Sequence, residues 1–134
     1  SFEAFSDVKP KHWAAKYIVY GNSINYVTGY PDGTFRPNRV LSRAEGITLL
    51  ARYAGLTEEA GAAAPFPDLK PEFWANKYIT PAKNTGLLKY LEGKNFDPAG
   101  NFSRSEAAEV LYRVTAIQEK VNEFWDTGII SGSL

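Results

Sequence analysis

Two arginines offer the clearest chemistry in the chain. Arg43 sits in Ser42-Arg43-Ala44-Glu45 and Arg104 in Ser103-Arg104-Ser105-Glu106. A serine followed three residues later by glutamate is a capping box, in which hydroxyl and carboxylate each satisfy a backbone N–H at a helix start. Each guanidinium therefore stands at the first position of a helix, where free N–H groups and the dipole favour an anion. It can grip a carboxylate through two parallel hydrogen bonds. The competing reading pairs both arginines with carboxylates of the protein itself. Other constellations are weaker. Asp32, Glu45, Glu92 and Glu106 could supply the two carboxylates of a glycoside hydrolase, but Glu45 and Glu106 read as caps and no pair is recognisable. Asp32-Gly33 lacks the alternating acidic ligands of a calcium loop. His12 is the single histidine and cysteine is absent, so no metal site, catalytic centre or cofactor is expected.

The elements that must position these arginines come in two copies. Phe5-Ser6-Asp7-Val8-Lys9-Pro10 recurs as Phe66-Pro67-Asp68-Leu69-Lys70-Pro71, an offset of 61 residues. The same offset carries Trp13 to Trp74, Tyr17 to Tyr78, Phe35 to Phe96, Arg43 to Arg104 and Arg52 to Arg113 without a gap. Each copy reads as helix, long loop, helix, so the fold class is all-α: tandem helix–loop–helix repeats packed as a pseudo-symmetric bundle. The first helix of each copy is expected to start near Pro10 or Pro71, with Trp13, Tyr17, Ile18 and Ile24 on one face. Trp13 and Trp74 are read chiefly as core residues, with a groove wall as the alternative. Pro81 should kink its helix or mark a fresh start. The loop Tyr30-Pro31-Asp32-Gly33 is turn chemistry, Phe35 and Phe96 are apolar anchors, and Asp7 and Asp68 brace or cap a turn. The second helices run from Arg43 to about Ala54 and, as one long helix with an apolar stripe, from Arg104 to about Trp125. The expected organisation is residues 1–56 as the first repeat, 57–65 as a linker, 66–126 as the second repeat with its extended helix, and 127–134 as a tail.

Composition limits what such a chain can do. Its 134 residues allow one domain or two very small ones. The formal net charge is zero, which argues against a nucleic-acid partner. No apolar run approaches the roughly 18 residues of a membrane span. Methionine is absent, so the chain reads as a processed product or an excised fragment.

The motifs Phe5-x-Asp7-Val8, Trp13-Ala14, Gly29-Tyr30-Pro31-Asp32-Gly33-Thr34-Phe35-x-Pro37 and Ser42-Arg43-Ala44-Glu45 together resemble the S-layer homology domain. The second copy matches at its ends, Phe66 to Ile79 and Phe96 to Arg113. Its loop departs, with Tyr90-Leu91-Glu92-Gly93-Lys94-Asn95 in place of the glycine-tyrosine turn. The resemblance implies an extracellular module that anchors a protein to the bacterial cell wall or S-layer by binding secondary cell-wall polysaccharide, often pyruvylated. It implies ligand contacts at Arg43 and Arg104, hydroxyl recognition by Asp32, an apolar wall from Tyr30, and close backbone approach at Gly29 and Gly33. Trp13 and Trp74 are the further wall candidates. A groove containing Asp32 and Arg43 should be the stronger site, because the second copy has lost the loop. Family members commonly assemble three repeats, so the third would be a further repeat or come by self-association. The alternative function is a protein–protein assembly module, docking through the apolar stripe from Ala107 to Phe124.

Overall fold

Each repeat is tied together by one carboxylate. Asp7 accepts the N–H groups of Phe35 and Arg36, both at 2.8 Å, and Asp68 accepts those of Phe96 and Asp97 at 2.8 and 2.7 Å. The clip lays the loop phenylalanine on the leading one: Phe5 and Phe35 centroids are 5.2 Å apart, Phe66 and Phe96 5.3 Å. Arg36 and Asp97, at the same register, share a left-handed backbone (φ 59° and 53°). The expected bracing role of both aspartates and the anchoring role of both phenylalanines are therefore met.

The computed structural model describes residues 4–59 and 63–126. Within them lie α1 (Ala15–Ser23), α2 (Arg43–Tyr53), α3 (Asn76–Asn84), a 3-10 turn (Lys89–Leu91), α4 (Arg104–Arg113) and α5 (Thr115–Asp126). There is no strand among the described residues, only an isolated antiparallel bridge between Ser42 and Asn101. The fold is all-α. The expected tail 127–134 and residues 60–62 of the expected linker lie outside the described residues.

Packing divides the chain between Leu41 and Ser42. The first unit has a small core of Phe5, Val8, Ala15 and Ile18, with Ala14 and Phe35 against it. The second has the larger core. It takes Ala44, Ile47 and Leu50 from α2, Ala75, Ile79 and Ala82 from the α3 region, Leu87, Leu88 and Leu91 from the following turn, and Phe66, Leu69, Phe96 and Val110. By sequence α2 belongs to the first repeat, yet it packs against α3 and α4 of the second.

Three local expectations need correction. The first helices start at Ala15 and Asn76, not at the prolines, and in α1 Ala15 and Ile18 take the inward face. Trp13 is therefore 80% exposed and Trp74 52% exposed, where both were read chiefly as core. Small residues at 14, 15 and 75 let the backbone approach the core closely, which leaves the aromatic stripe Trp13, Tyr17 and Tyr20 on the opposite side. Pro81 lies inside α3 and so marks no fresh helical start. It cannot donate to the carbonyl four residues back, and that carbonyl, of Lys77, instead accepts the Glu59 N–H at 3.0 Å. Finally, the long last helix is interrupted at Val114, whose backbone is extended (φ −68°, ψ 122°) and whose side chain turns onto the core.

Candidate functional site

The start of α2 is built as a closed ion-pair site. Ser42 and Glu45 form the complete capping box. The Arg43 N–H donates to the Gly100 carbonyl at 2.7 Å and the Ala44 N–H to the Pro98 carbonyl at 3.1 Å, while the Glu45 N–H donates to Ser42 Oγ at 3.2 Å. The helix start expected to offer free donors to an anion is thus filled by the protein's own loop. The Arg43 fork is filled as well. Its Nε and Nη2 hold Glu106 at 2.8 and 2.7 Å, and Nη1 donates to the carbonyls of Phe96 and Asp97 at 2.9 and 3.0 Å. Both side chains of the Arg43–Glu106 pair are only 16% exposed.

Glu106 also accepts the Tyr90 hydroxyl at 2.9 Å. The Arg43 hydrogen bonds hold the Glu106 carboxyl below its usual range and Glu106 in turn raises Arg43. Burial, then the Glu106 hydrogen bond, push the Tyr90 phenol well above its ordinary value, so it stays a donor. Sequence reasoning took Glu106 as a capping carboxylate. The Glu106 N–H does donate to Ser103 Oγ at 3.1 Å, but the carboxylate is drawn away to Arg43 and Tyr90. The hint was available at Tyr90, the residue that departs from the repeat register at Gly29.

Arg104, at the same register as Arg43, is in a different state. It is exposed, and no ion pair or hydrogen bond holds its guanidinium among the described residues. The N–H groups of Arg104 and Ser105 likewise have no partner there. Within the second unit an open hollow of about 520 Å³ is lined by Asp68, Lys70, Glu72, Phe73, Trp74 and Pro98. Phe73 and Trp74 lie 5.7 Å apart on its rim. Lys70, Glu72 and Phe73 were not singled out from the sequence.

The first unit carries the turn. Asp32 accepts the Thr34 hydroxyl at 2.6 Å, the Thr34 N–H at 3.0 Å and Arg36 Nη2 at 3.2 Å, and these bonds lower its carboxyl. The Arg36 guanidinium stacks on Tyr30 at 3.9 Å, and Arg39 donates to the Tyr30 hydroxyl. Gly33 has φ 82°, as the turn requires. At Gly29 a Cβ would stand 2.2 Å from the Phe5 ring, so that glycine makes room for the core. Trp13 is stacked beside His12 at 5.9 Å and faces solvent. Gly29, Tyr30, Asp32, Gly33 and Trp13 thus belong to the first unit, and Arg43, Trp74 and Arg104 to the second. No helix among the described residues is long and apolar enough to cross a membrane.

Comparison with known proteins returns the family that the motifs resemble. The S-layer homology domain model matches residues 4–45 and 65–108. The chain is 32% identical over 120 residues, 90% of its length, to S-layer protein EA1 of Bacillus anthracis. It is 33% identical over 115 residues, 81% of its length, to a cellulosome-anchoring protein of Acetivibrio thermocellus. A third relative, cell surface glycoprotein 1 of the same organism, is 41% identical over 95 residues, 69% of the chain. The matched regions span 14%, 25% and 4% of those proteins. Family and relatives place the chain outside the cell, at the bacterial surface. With two tandem matched segments joined in one register, the chain belongs to the S-layer homology domain family.

Proposed function

We propose that the chain anchors its parent protein to the bacterial envelope by binding secondary cell-wall polysaccharide, and that the polymer's pyruvyl carboxylates are part of what it recognises. The observation that carries this is the tandem family match together with tryptophans turned to solvent at the same register of both repeats. An exposed indole beside a second ring gives a sugar an apolar face to stack on, and Trp74 has such a neighbour at the edge of an open hollow. Tyr30 and Asp32 supply a ring and a carboxylate in the first unit, and Gly29 and Gly33 shape the turn that presents them.

Arg104 is the arginine assigned to the carboxylate. Its fork and the adjacent N–H groups are unoccupied among the described residues, whereas four of the five Arg43 donors are engaged. Arg43 acts as a positioning residue that fastens the 96–100 loop to α2. This reverses the ranking expected from the loop motif alone. The role is binding, not turnover, as befits an anchoring family.

Calorimetry with a monovalent wall-sugar fragment, which avoids avidity along the polymer, tests the reading. The pyruvylated fragment should bind more tightly than its depyruvylated form, and Arg104→Ala should abolish that difference. Equal affinity for both forms removes carboxylate recognition. Failure of wall polymer to bind at all removes the anchoring reading.

A further inference from the structure

One buried side chain holds the wall of the hollow. Asn76, in the first turn of α3, is 8% exposed. Its Nδ2 donates to the carbonyls of Lys70 and Pro71 at 2.8 and 3.1 Å. Those carbonyls open the segment 70–74, whose Lys70, Glu72, Phe73 and Trp74 line the hollow. The Phe73 N–H also donates to the Lys70 carbonyl, and the Asn76 N–H to the Phe73 carbonyl, both at 3.1 Å. The amide therefore closes a small ring of bonds around the base of the two aromatic residues.

The other end of that amide is left unpaired. Asn76 Oδ1 is buried with no hydrogen-bond partner among the described residues, and a buried polar atom in that state is destabilising. Packing does not require an amide here. The first repeat carries Ala15 at this register, buried in its own core. It makes the same turn, with the His12 N–H donating to the Lys9 carbonyl at 2.9 Å. There the brace is made differently: His12 Nδ1 accepts the Ala14 N–H at 3.1 Å. Phe73, at the register of His12, has no side-chain acceptor to offer. The second repeat thus has a plain aromatic ring where the first has its brace, and supplies asparagine three residues later. We propose that Asn76 is a positioning residue of the wall-sugar site, fixing segment 70–74 so that Phe73 and Trp74 are held 5.7 Å apart before a sugar arrives. This rests on the carbohydrate-binding reading above and adds to it what sets the stacking face. A face formed in advance spares the ligand the entropy of ordering those rings.

Calorimetry of the 134-residue chain well below its melting temperature tests this, with amide exchange at position 73 reporting the order of the segment. Asn76→Ala should stay folded by circular dichroism, because alanine already serves at that register in the first repeat. It should lose protection at position 73. The monovalent wall-sugar fragment, pyruvylated or depyruvylated, should bind about tenfold more weakly, as two rings must then be ordered on binding. The ratio between the two forms should persist, since Arg104 is untouched. Phe73→His combined with Asn76→Ala rebuilds the brace of the first repeat and should recover both the protection and most of the affinity. Parental affinity in the folded Asn76→Ala chain overturns the proposal, even if its melting temperature falls. So does a double variant that regains protection without affinity. An Asn76→Ala chain that fails to fold makes the amide a core residue and overturns it also. A parent chain that binds neither fragment removes the carbohydrate reading itself, and its own titration tells that failure apart.

Discussion

Replacing Arg43 by alanine should unfold the second unit far more readily than replacing Arg104, although the two share one motif position. The structure sets the size of the difference. Removal of Arg43 strips Glu106 of its bidentate partner at 2.7 and 2.8 Å and leaves the carboxylate, 16% exposed, with Tyr90 alone. It also deprives the Phe96 and Asp97 carbonyls of their side-chain donor. Breaking a fully buried pair by deleting one partner costs about 3–5 kcal/mol. This pair keeps some solvent contact, which puts the loss near the lower end, about 3 kcal/mol. For a unit of this size that lowers the melting temperature by roughly 10–20 °C. Arg104→Ala removes an exposed side chain and should stay within about 0.5 kcal/mol of the parent. Arg43→Lys keeps the charge but not the planar fork and should fall between. Arg43→Met combined with Glu106→Leu should recover much of the loss, because an apolar pair of similar volume leaves no stranded charge. Thermal and urea unfolding followed by circular dichroism measure all four. Equal destabilisation by Arg43→Ala and Arg104→Ala would refute the assignment of Arg43 to an internal clamp.

Three other perturbations follow from the same contacts. Gly46→Ala would place a methyl 2.2 Å from the Phe102 ring, so it should destabilise by about 1–3 kcal/mol in urea unfolding despite alanine's better helix propensity. Asp68→Ala should release the loop that it clips, read as lost amide-exchange protection at Phe96 and Asp97, while the protection of Phe35 and Arg36 by Asp7 persists. Acid should weaken the second unit. Arg43 lowers the Glu106 carboxyl, and for Asp68 the N–H groups of Phe96 and Asp97 outweigh the opposing effect of burial. A depressed folded-state value gives stability that is present above the unfolded value and lost as pH falls through the folded one. The decline should therefore begin below the ordinary values of 4.5 and 3.8, and Glu106→Gln should flatten it in a pH series of melts.

What the sequence made legible was whatever is local or repeats. The 61-residue register predicts matching helices, and α1 and α3 are offset by that number at both ends, Ala15–Ser23 against Asn76–Asn84. Ser42 and Glu45 form their capping box and Ser103 caps α4, because these bonds span only three residues. The orientation of Trp13 was not legible. Periodicity identifies a stripe but not the side on which the core lies, and here two alanines and Ile18 took the core side. Nor was the break at Val114, which no glycine or proline announces. The Arg43–Glu106 pair joins residues 63 apart; the sequence raised an internal carboxylate as the partner of Arg43 but could not single out Glu106, which it read as a cap.

The repeat in the sequence and the repeat in the packing are out of phase, and this explains why one motif holds two kinds of arginine. The second helix of a repeat is covalently part of that repeat but lends its apolar face to the next one: Ile47 and Leu50 of α2 join the core of Phe66, Ile79 and Phe96. The serine, arginine and glutamate at its start must then both cap a helix and fasten the neighbouring loop. Where the following repeat is in place, as at Arg43, the arginine finds that repeat's Glu106, and Glu106 leaves its own capping box half made. At Arg104 the same side chain faces solvent with its fork open. The contacts around it, rather than residue type, therefore decide whether the motif arginine is held in an ion pair, as at Arg43, or left exposed, as at Arg104.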